Sequence, residues 1–497
     1  MSLCNEKAMA THTPPRIPME LYRQNRSKLT AAMRQHLQAQ GLPINGVVLL
    51  QGGEEQTRYC TDHLILFRQE SYFAYLFGVK EPDFYGAMDI STGKAFLFTP
   101  RLSEDYAVWM GKIHTLSDLK EMYEVDEVYY TNEMEDILRS LATDNETVLL
   151  YLLHGLNTDS NKFSQPAQFK GIENFNTNLD ILHPILTECR VSKSYLELNL
   201  LRYVNEVSSA AHVEVMRKTK VGMEEYQLES TFLHYVYMFG GCRHCSYTCI
   251  CATGENSSVL HYGHAGAPND RTLKDGDMAL LDMGAEYYFY GSDITCSFPV
   301  NGKFTDDQRV VYNAVLGAHE AVISKMKPGV SWVDMHKLAE SVIITSLKDA
   351  NILLGTVEEM LEKRLGAVFM PHGLGHFLGL DTHDPGGYVK GLERPKEPGL
   401  RSLRTVRVLQ EGMFVTVEPG CYFIDATLVP AMENPDTSCF FNKQVIARFQ
   451  KFGGVRIESD VIVTATGCEN LTNVPRETWE IEAVMRGESW PLKLLDA

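Results

Sequence analysis

Apolar residues recur every three to four positions through MELYRQNRSKLTAAMRQHLQAQG, residues 19–41, which predicts an amphipathic helix. GVVLLQGG, residues 46–53, then reads as a buried strand, and FYGAMDISTGKAFLFTP, residues 84–100, as two strands turning about Ser91 to Gly93. Helices alternating with strands describe an α/β domain, and this one carries no evident catalytic cluster. A new section opens at Ser194. There Ser-x-x-Glu197 has the form of a capping box, and Leu196, Leu200, Tyr203, Val204 and Val207 make a helical stripe. The chain is expected to divide into residues 1–188 and 189–497, with the boundary between Cys189 and Ser194.

The second section contains a repeat. LKDGDMALLDMGAEYY and LQEGMFVTVEPGCYF match at one constant offset, pairing Leu273 with Leu409, Asp275 with Glu411, Gly276 with Gly412, Asp282 with Glu418 and Gly284 with Gly420. Upstream, KVGMEEYQLE and KPGVSWVDMH each follow one helical run and precede another. Two copies of a helix-helix-strand unit predict a pseudo-twofold domain with a natural site on its axis. Asp282 and Asp293 lie in LLDMGAEYYFYGSDITCSF, residues 280–298, where apolar and aromatic neighbours predict a buried hairpin. A loop centred on Tyr287 and Tyr288 sets the two aspartates directly opposite, with Cβ atoms about 4.5–5.5 Å apart. Like charges so close require a cation between them, a shared proton or a different register.

VFMPHGLGHFLGLDTHDPGG holds His372, His376 and His383 among glycines that let backbone approach a ligand, and any of the three imidazoles can bind a metal. It is not a His-Glu-x-x-His helix. Glu418 ends a strand that is apolar on both faces. In GGVRIESDVIVT, Val455, Ile457, Val461 and Val463 share one strand face, while Arg456 and Glu458 share the other, so Glu458 can equally be half of an ion pair with Arg456. GCRHCSYTCICATG alternates like one strand. It spreads Cys245, Cys249 and Cys251 along a face at about 6.6 Å per two residues, too extended for one tetrahedral ion.

Composition narrows the function classes. At 497 residues and 44% hydrophobic content the chain can bury two or three sizeable cores. A net charge of -18 without a Lys/Arg block argues against nucleic acid and anionic membrane as partners. MSLCNEKAMATHTPPRIP has no apolar leader, and no apolar run is long enough to span a bilayer. Eleven scattered cysteines fit reduced thiols and a cytoplasmic location.

Asp282, Asp293, His376, Glu418 and Glu458, in that order and each in its own motif, resemble the ligand signature of the pita-bread dinuclear metallopeptidases. The chain is most similar to their eukaryotic Xaa-Pro dipeptidase (prolidase) branch, through RYCTDHLILFRQESYFAYLFGV, LHYGHAGAPNDRT, PHGLGHFLGLDTHD, LRSLRT, TVEPG and GGVRIESD. The resemblance implies a smaller N-terminal α/β domain, then a pseudo-twofold catalytic domain with a curved, mostly antiparallel sheet flanked by helices. It implies two divalent ions per subunit. Four carboxylates and an imidazole suit manganese, with cobalt or zinc possible. The implied reaction is hydrolysis of Xaa-Pro or Xaa-hydroxyproline dipeptides by a water activated between the ions, serving proline recycling and collagen peptide breakdown. Glu418 would be ligand and proton shuttle, and His261 and His383 would hold the substrate or its oxyanion. Arg404 would grip the free carboxylate, and the subunits would form a homodimer. An Xaa-Pro aminopeptidase acting on longer peptides is the alternative; a non-catalytic binding module of the same fold is a more distant one. Ser459 departs from the acidic residue usual after the last ligand, and the connection between Glu418 and Glu458 is long.

Overall fold

The computed structural model describes residues 13–141 and 148–492. The first twelve residues of the N-terminal stretch read above therefore lie outside the described residues. Two compact units emerge, one of residues Ile17–Leu196 and the other of the described residues from Glu197 onward together with residues 13–16. No helix among the described residues is long and apolar enough to cross a membrane.

In the first unit the expected amphipathic helix is Glu20–Ala39, burying Leu21, Tyr22, Leu29, Met33 and Leu37. Val47–Gln51 is a strand, and Tyr85–Asp89 and Ala95–Thr99 form the expected antiparallel hairpin. The six-stranded sheet runs Glu127–Tyr130, Ala95–Thr99, Tyr85–Asp89, Val47–Gln51, Leu149–Leu152, Asn176–Asn178. Antiparallel pairing in its middle gives way to parallel pairing on both sides. One face carries a core of Leu49, Ala87, Phe96, Phe98, Met134, Leu138 and Leu150.

In the second unit the repeat is realised bond for bond. Gly222 N donates to Leu273 O and Leu273 N to Met223 O, at 2.9 and 2.8 Å; Gly329 N donates to Leu409 O and Leu409 N to Val330 O, at 2.9 and 2.8 Å. Gly276 and Gly412 both turn through positive φ, +86° and +81°, at the start of the matching strands. Helices Tyr195–Lys218 and Glu225–Gly240 precede strand Met278–Asp282, as Asp306–Lys325 and Trp332–Asp349 precede Phe414–Val417. Each strand is the middle of a three-stranded antiparallel ladder or pairs with that middle: Ile250–Thr253, Met278–Asp282, Thr295–Pro299 in one half, and Phe414–Val417, Ser459–Val463, Cys468–Asn470 in the other. The halves meet where Glu458 N donates to Thr295 O at 3.2 Å and the Ser297 hydroxyl donates to Arg456 O at 2.8 Å. The charged strand ends therefore converge at the junction of the two repeats.

Candidate metal centre

The hairpin that carries the aspartates is closed by Tyr288 and Phe289, with φ +47° and +74°, between the paired Tyr287 and Tyr290. Two positive-φ residues match the right-handed strand twist, as in a type I′ turn. The turn lies one residue later than expected from the pattern, so Asp282 pairs with Thr295 and not with Asp293. The aspartates are diagonal neighbours on one face. Between them stands Tyr247, its hydroxyl 2.5 Å from Asp282 Oδ1 and 2.6 Å from Asp293 Oδ1. A phenol has one proton to donate. Burial, then the two aspartates, hold the Tyr247 pKa well above its usual value, so it stays a donor.

The histidine loop is held against the strand Phe414–Val417 of its own half. His376 N donates to Thr416 Oγ1 at 3.1 Å, Thr416 N to His376 O at 2.9 Å, and Glu418 N to Leu374 O at 2.8 Å. Trp332 Nε1 donates to Gly375 O at 3.1 Å. A Cβ at Gly375 would lie 2.0 Å from Thr416 O, so only glycine permits this approach. Gly375→Ala is expected to destabilise the protein by about 1–3 kcal/mol, because backbone must move to relieve the overlap. A chemical-denaturation midpoint equal to the parent's would contradict it.

His376 Nδ1 lies 2.9 Å from Phe377 O. A carbonyl only accepts, so Nδ1 carries the hydrogen and Nε2 keeps its lone pair for a ligand. That nitrogen is 3.4 Å from Asp293 Oδ2 and 3.4 Å from Glu418 Oε1. Asp293, His376 and Glu458, all buried, each present a ligand atom, and these atoms lie within 4.8 Å of one another. Thr295 Oγ1 donates to Glu458 Oε2 at 2.6 Å, and Thr416 Oγ1 to Glu418 Oε1 at 3.3 Å.

Electrostatics tests whether these residues fit cations. Burial, then Asp282, Asp460 and Glu418, push the Asp293 carboxyl well above the usual carboxylate range. Burial, then Asp293 and Glu418, do the same to Glu458. Burial also raises Glu418, against the pull of His376 and Arg456. Arg456 compensates one charge: its Nη2 reaches Asp282 Oδ2 at 2.6 Å, while Nη1 donates to Tyr422 Oη at 2.8 Å and Nε to Thr295 Oγ1 at 3.2 Å. The ion pair open to Glu458 in the sequence is thus made by Asp282. Three further buried or half-buried carboxylates crowd one imidazole, an anionic excess of oxygen donors that suits hard divalent cations.

Around this cluster, His383 packs edge-on against His376, ring centroids 4.5 Å apart, and burial, then His376 and Arg404, pull its pKa down. His261 stands at an exposed rim. Partial desolvation, then Arg456 and Arg404, lower its pKa. Arg404 is half-buried, and its charge also bears on Glu418. His372 lies one layer back, with Nδ1 2.8 Å from Gly373 O and Nε2 2.9 Å from the Tyr422 hydroxyl. Burial pushes its pKa down to about 3.

Two expectations about strand continuity fail. GGVRIESDVIVT is broken into Gly454–Arg456 and Ser459–Val463, which turns Glu458 inward between them. The cysteine run is likewise split into His244–Cys245 and Ile250–Thr253, and the neighbouring Cys245 thiol, with burial, pushes the Cys249 thiol well above its usual pKa. No disulfide joins the described cysteines, and none of them belongs to the Asp293, His376 and Glu458 cluster. In the sequence Arg456 pairs with Glu458, and Tyr247, Thr295, Tyr422 and Asp460, whose Oδ2 accepts from Asp293 N at 2.9 Å, pass unnoticed. No local pattern marks any of the four, and only the folded site shows what each is paired with.

Residues 199–465 match Metallopeptidase family M24, and residues 22–151 match Aminopeptidase P, N-terminal domain. Xaa-Pro dipeptidase of Mus musculus is 57% identical over 472 residues, 95% of this chain and 94% of that one. Among solved structures, aminopeptidase PepP of Pseudomonas aeruginosa superposes with a TM-score of 0.76 at 31% identity, covering 95% of this chain and 98% of that one. Zn substituted E. coli Aminopeptidase P in complex with product gives 0.76 at 30%, covering 95% and 99%. With this coverage, and the junction of two repeats built as described, the chain belongs to metallopeptidase family M24.

Proposed function

We propose that the chain is an Xaa-Pro dipeptidase that hydrolyses the bond before a C-terminal proline, with two divalent ions held by Asp282, Asp293, His376, Glu418 and Glu458. The observation that carries the reading is the buried carboxylate excess around His376 Nε2, together with 57% identity to a dipeptidase across nearly the whole chain. Divalent ions held by these five residues would supply Lewis-acid chemistry, acidifying a water and polarising the scissile carbonyl. Glu418, its carboxyl raised by burial, would accept the proton of the attacking water and deliver it to the proline nitrogen. His383 and His261, both held toward the neutral form, offer a ring N–H to the oxyanion or the substrate. Arg404 receives the free carboxylate through its two-pronged guanidinium.

Manganese is the proposed ion, favoured by the carboxylate-rich donor set over cobalt and zinc; metal analysis of protein purified without added ions decides it. A cytoplasmic setting is favoured by scattered cysteines that form no disulfide among the described residues, and subcellular fractionation tests it. Proline recycling, including from collagen peptides, is the proposed role. A homodimer is supported by helix Glu104–Met110, which buries none of its residues and exposes Val108 and Trp109; light scattering in solution tests it.

The likeness to aminopeptidase P structures favours one competing reading, cleavage of longer peptides. Hydrolysis of Gly-Pro is compared with that of Gly-Pro-Ala. Gly-Pro is expected to be strongly preferred, and Arg404→Ala should raise KM for Gly-Pro about 10- to 150-fold while sparing metal content, the effect of losing a charged hydrogen bond. Equal rates on the two peptides would favour the aminopeptidase.

A further inference from the structure

Glu340 takes no part in the reaction proposed above, yet it is fully buried in helix Trp332–Asp349. His336 Nε2, one turn earlier, lies 3.2 Å from its Oε1, and Arg364 Nη2 reaches the same oxygen at 2.7 Å. A buried carboxylate removed from its partner is strongly destabilising, so such a pair is held in one arrangement. The same guanidinium does a second thing: Nε and Nη2 donate to Pro398 O at 3.2 and 2.8 Å.

Pro398 precedes Gly399, which turns through φ +79° with its backbone laid on the ion pair. A Cβ there would sit 2.9 Å from Glu340 Oε1 and 3.2 Å from Arg364 Nη2. From that fixed point the chain makes one tight turn, with Ser402 N donating to Gly399 O and Leu403 N to Leu400 O, both at 3.0 Å, and arrives at Arg404. The far side of the segment is fixed too. The Tyr388 hydroxyl donates to Leu403 O at 2.8 Å, and a Cβ at Gly387 would lie 2.0 Å from Arg404 O. A guanidinium must meet a carboxylate within roughly 0.5 Å and 10–20° to bind it with both prongs, and a loop residue is only as well placed as its loop.

We propose that buried Glu340, paired with half-buried Arg364, positions Arg404 through the Pro398–Leu403 segment, and so sets the affinity for the free carboxylate of the substrate. This rests on the reading of Arg404 given above. Glu340 and Arg364 are positioning residues and touch no substrate.

The test uses the full chain loaded with manganese, with KM and kcat measured for Gly-Pro and for its C-terminal amide. Arg364→Met should raise KM for Gly-Pro about 3- to 30-fold, with kcat and metal content within about twofold of the parent. The amide, which presents no carboxylate, should be almost unaffected, and Arg364→Lys should recover part of the loss. An unchanged KM, or an equal loss on both substrates, overturns the proposal and makes the pair ordinary scaffold. Arg404→Ala is the control. If it leaves the preference for the free acid intact, the reading of Arg404 fails and the proposal with it; if it removes the preference while Arg364→Met does not, the proposal fails alone. Should Arg364→Met unfold, Glu340→Gln carries the same comparison.

Discussion

Asp293→Asn is expected to lose bound divalent ion and to lower turnover of Gly-Pro by ~10³-fold, the several kcal/mol that metal-assisted water activation supplies. The physical reason is charge count. Asp293 is buried between Asp282, Asp460 and Glu418, and its Oδ2 faces His376 Nε2 at 3.4 Å. Asparagine keeps the shape and one oxygen but removes the negative charge that a cation balances. Stability supplies a second readout with the opposite sign. Asp293 and Glu458 have raised folded-state pKa values, so between the ordinary carboxylate range and those raised values the metal-free native state binds more protons than the unfolded chain. Stability of chelated protein should then be highest at acid pH and fall as pH rises through that window. Asp293→Asn should flatten this fall and make the chelated protein more stable than the chelated parent near neutrality, while the ion-loaded comparison goes the other way. Metal content by elemental analysis and paired thermal unfolding, with and without chelator, measure both. A variant that retains two ions and full turnover would remove Asp293 from the ligand set.

Glu418→Gln is expected to lower kcat by about 10²- to 10⁴-fold, the range for loss of a positioned general base. KM for Gly-Pro should change little, because Arg404 and the histidines, not Glu418, are proposed to hold the substrate. Glu418 is suited to the shuttle by its environment. Burial raises its carboxyl while His376 and Arg456 restrain the rise, which leaves a group that can take and return a proton. Thr416 Oγ1 at 3.3 Å and the Glu418 N to Leu374 O bond at 2.8 Å fix its direction. Steady-state kinetics with pre-loaded enzyme separate this from metal loss: a variant holding its ions with unchanged kcat would assign the proton to another group.

The two experiments divide the site by function. Asp293 tests the cage for the ions, Glu418 the movement of the proton, and Arg404 with Arg364 the choice of substrate. A single damaged scaffold would give one common loss across all of them.

The repeat was legible because it is local chemistry written twice. Gly276 and Gly412 each need positive φ, and the apolar strands between them and Asp282 or Glu418 follow from alternation and burial. The five acidic and imidazole positions were legible as an ordered set only through the family resemblance; burial pattern by itself singled out Glu418, while Glu458 read equally as half of an ion pair with Arg456. The sequence could not decide register. A hairpin turn one residue later, at Tyr288 and Phe289, moves every cross-strand partner, and period-two alternation is blind to a shift that preserves the face. It also could not decide pairing between distant residues. Arg456 sits two places from Glu458 and yet bonds Asp282, because the strand breaks at Ile457 and the two repeats meet there. Tyr247 looks like an ordinary core residue until its own half folds it onto Asp282 and Asp293, and Thr295 does so until the other half brings Glu458 within hydrogen-bond distance. The sequence alone determined which residues are costly to bury and where each half places them. Only the tertiary structure decided which of those charges face one another, because that depends on two halves docking across their axis.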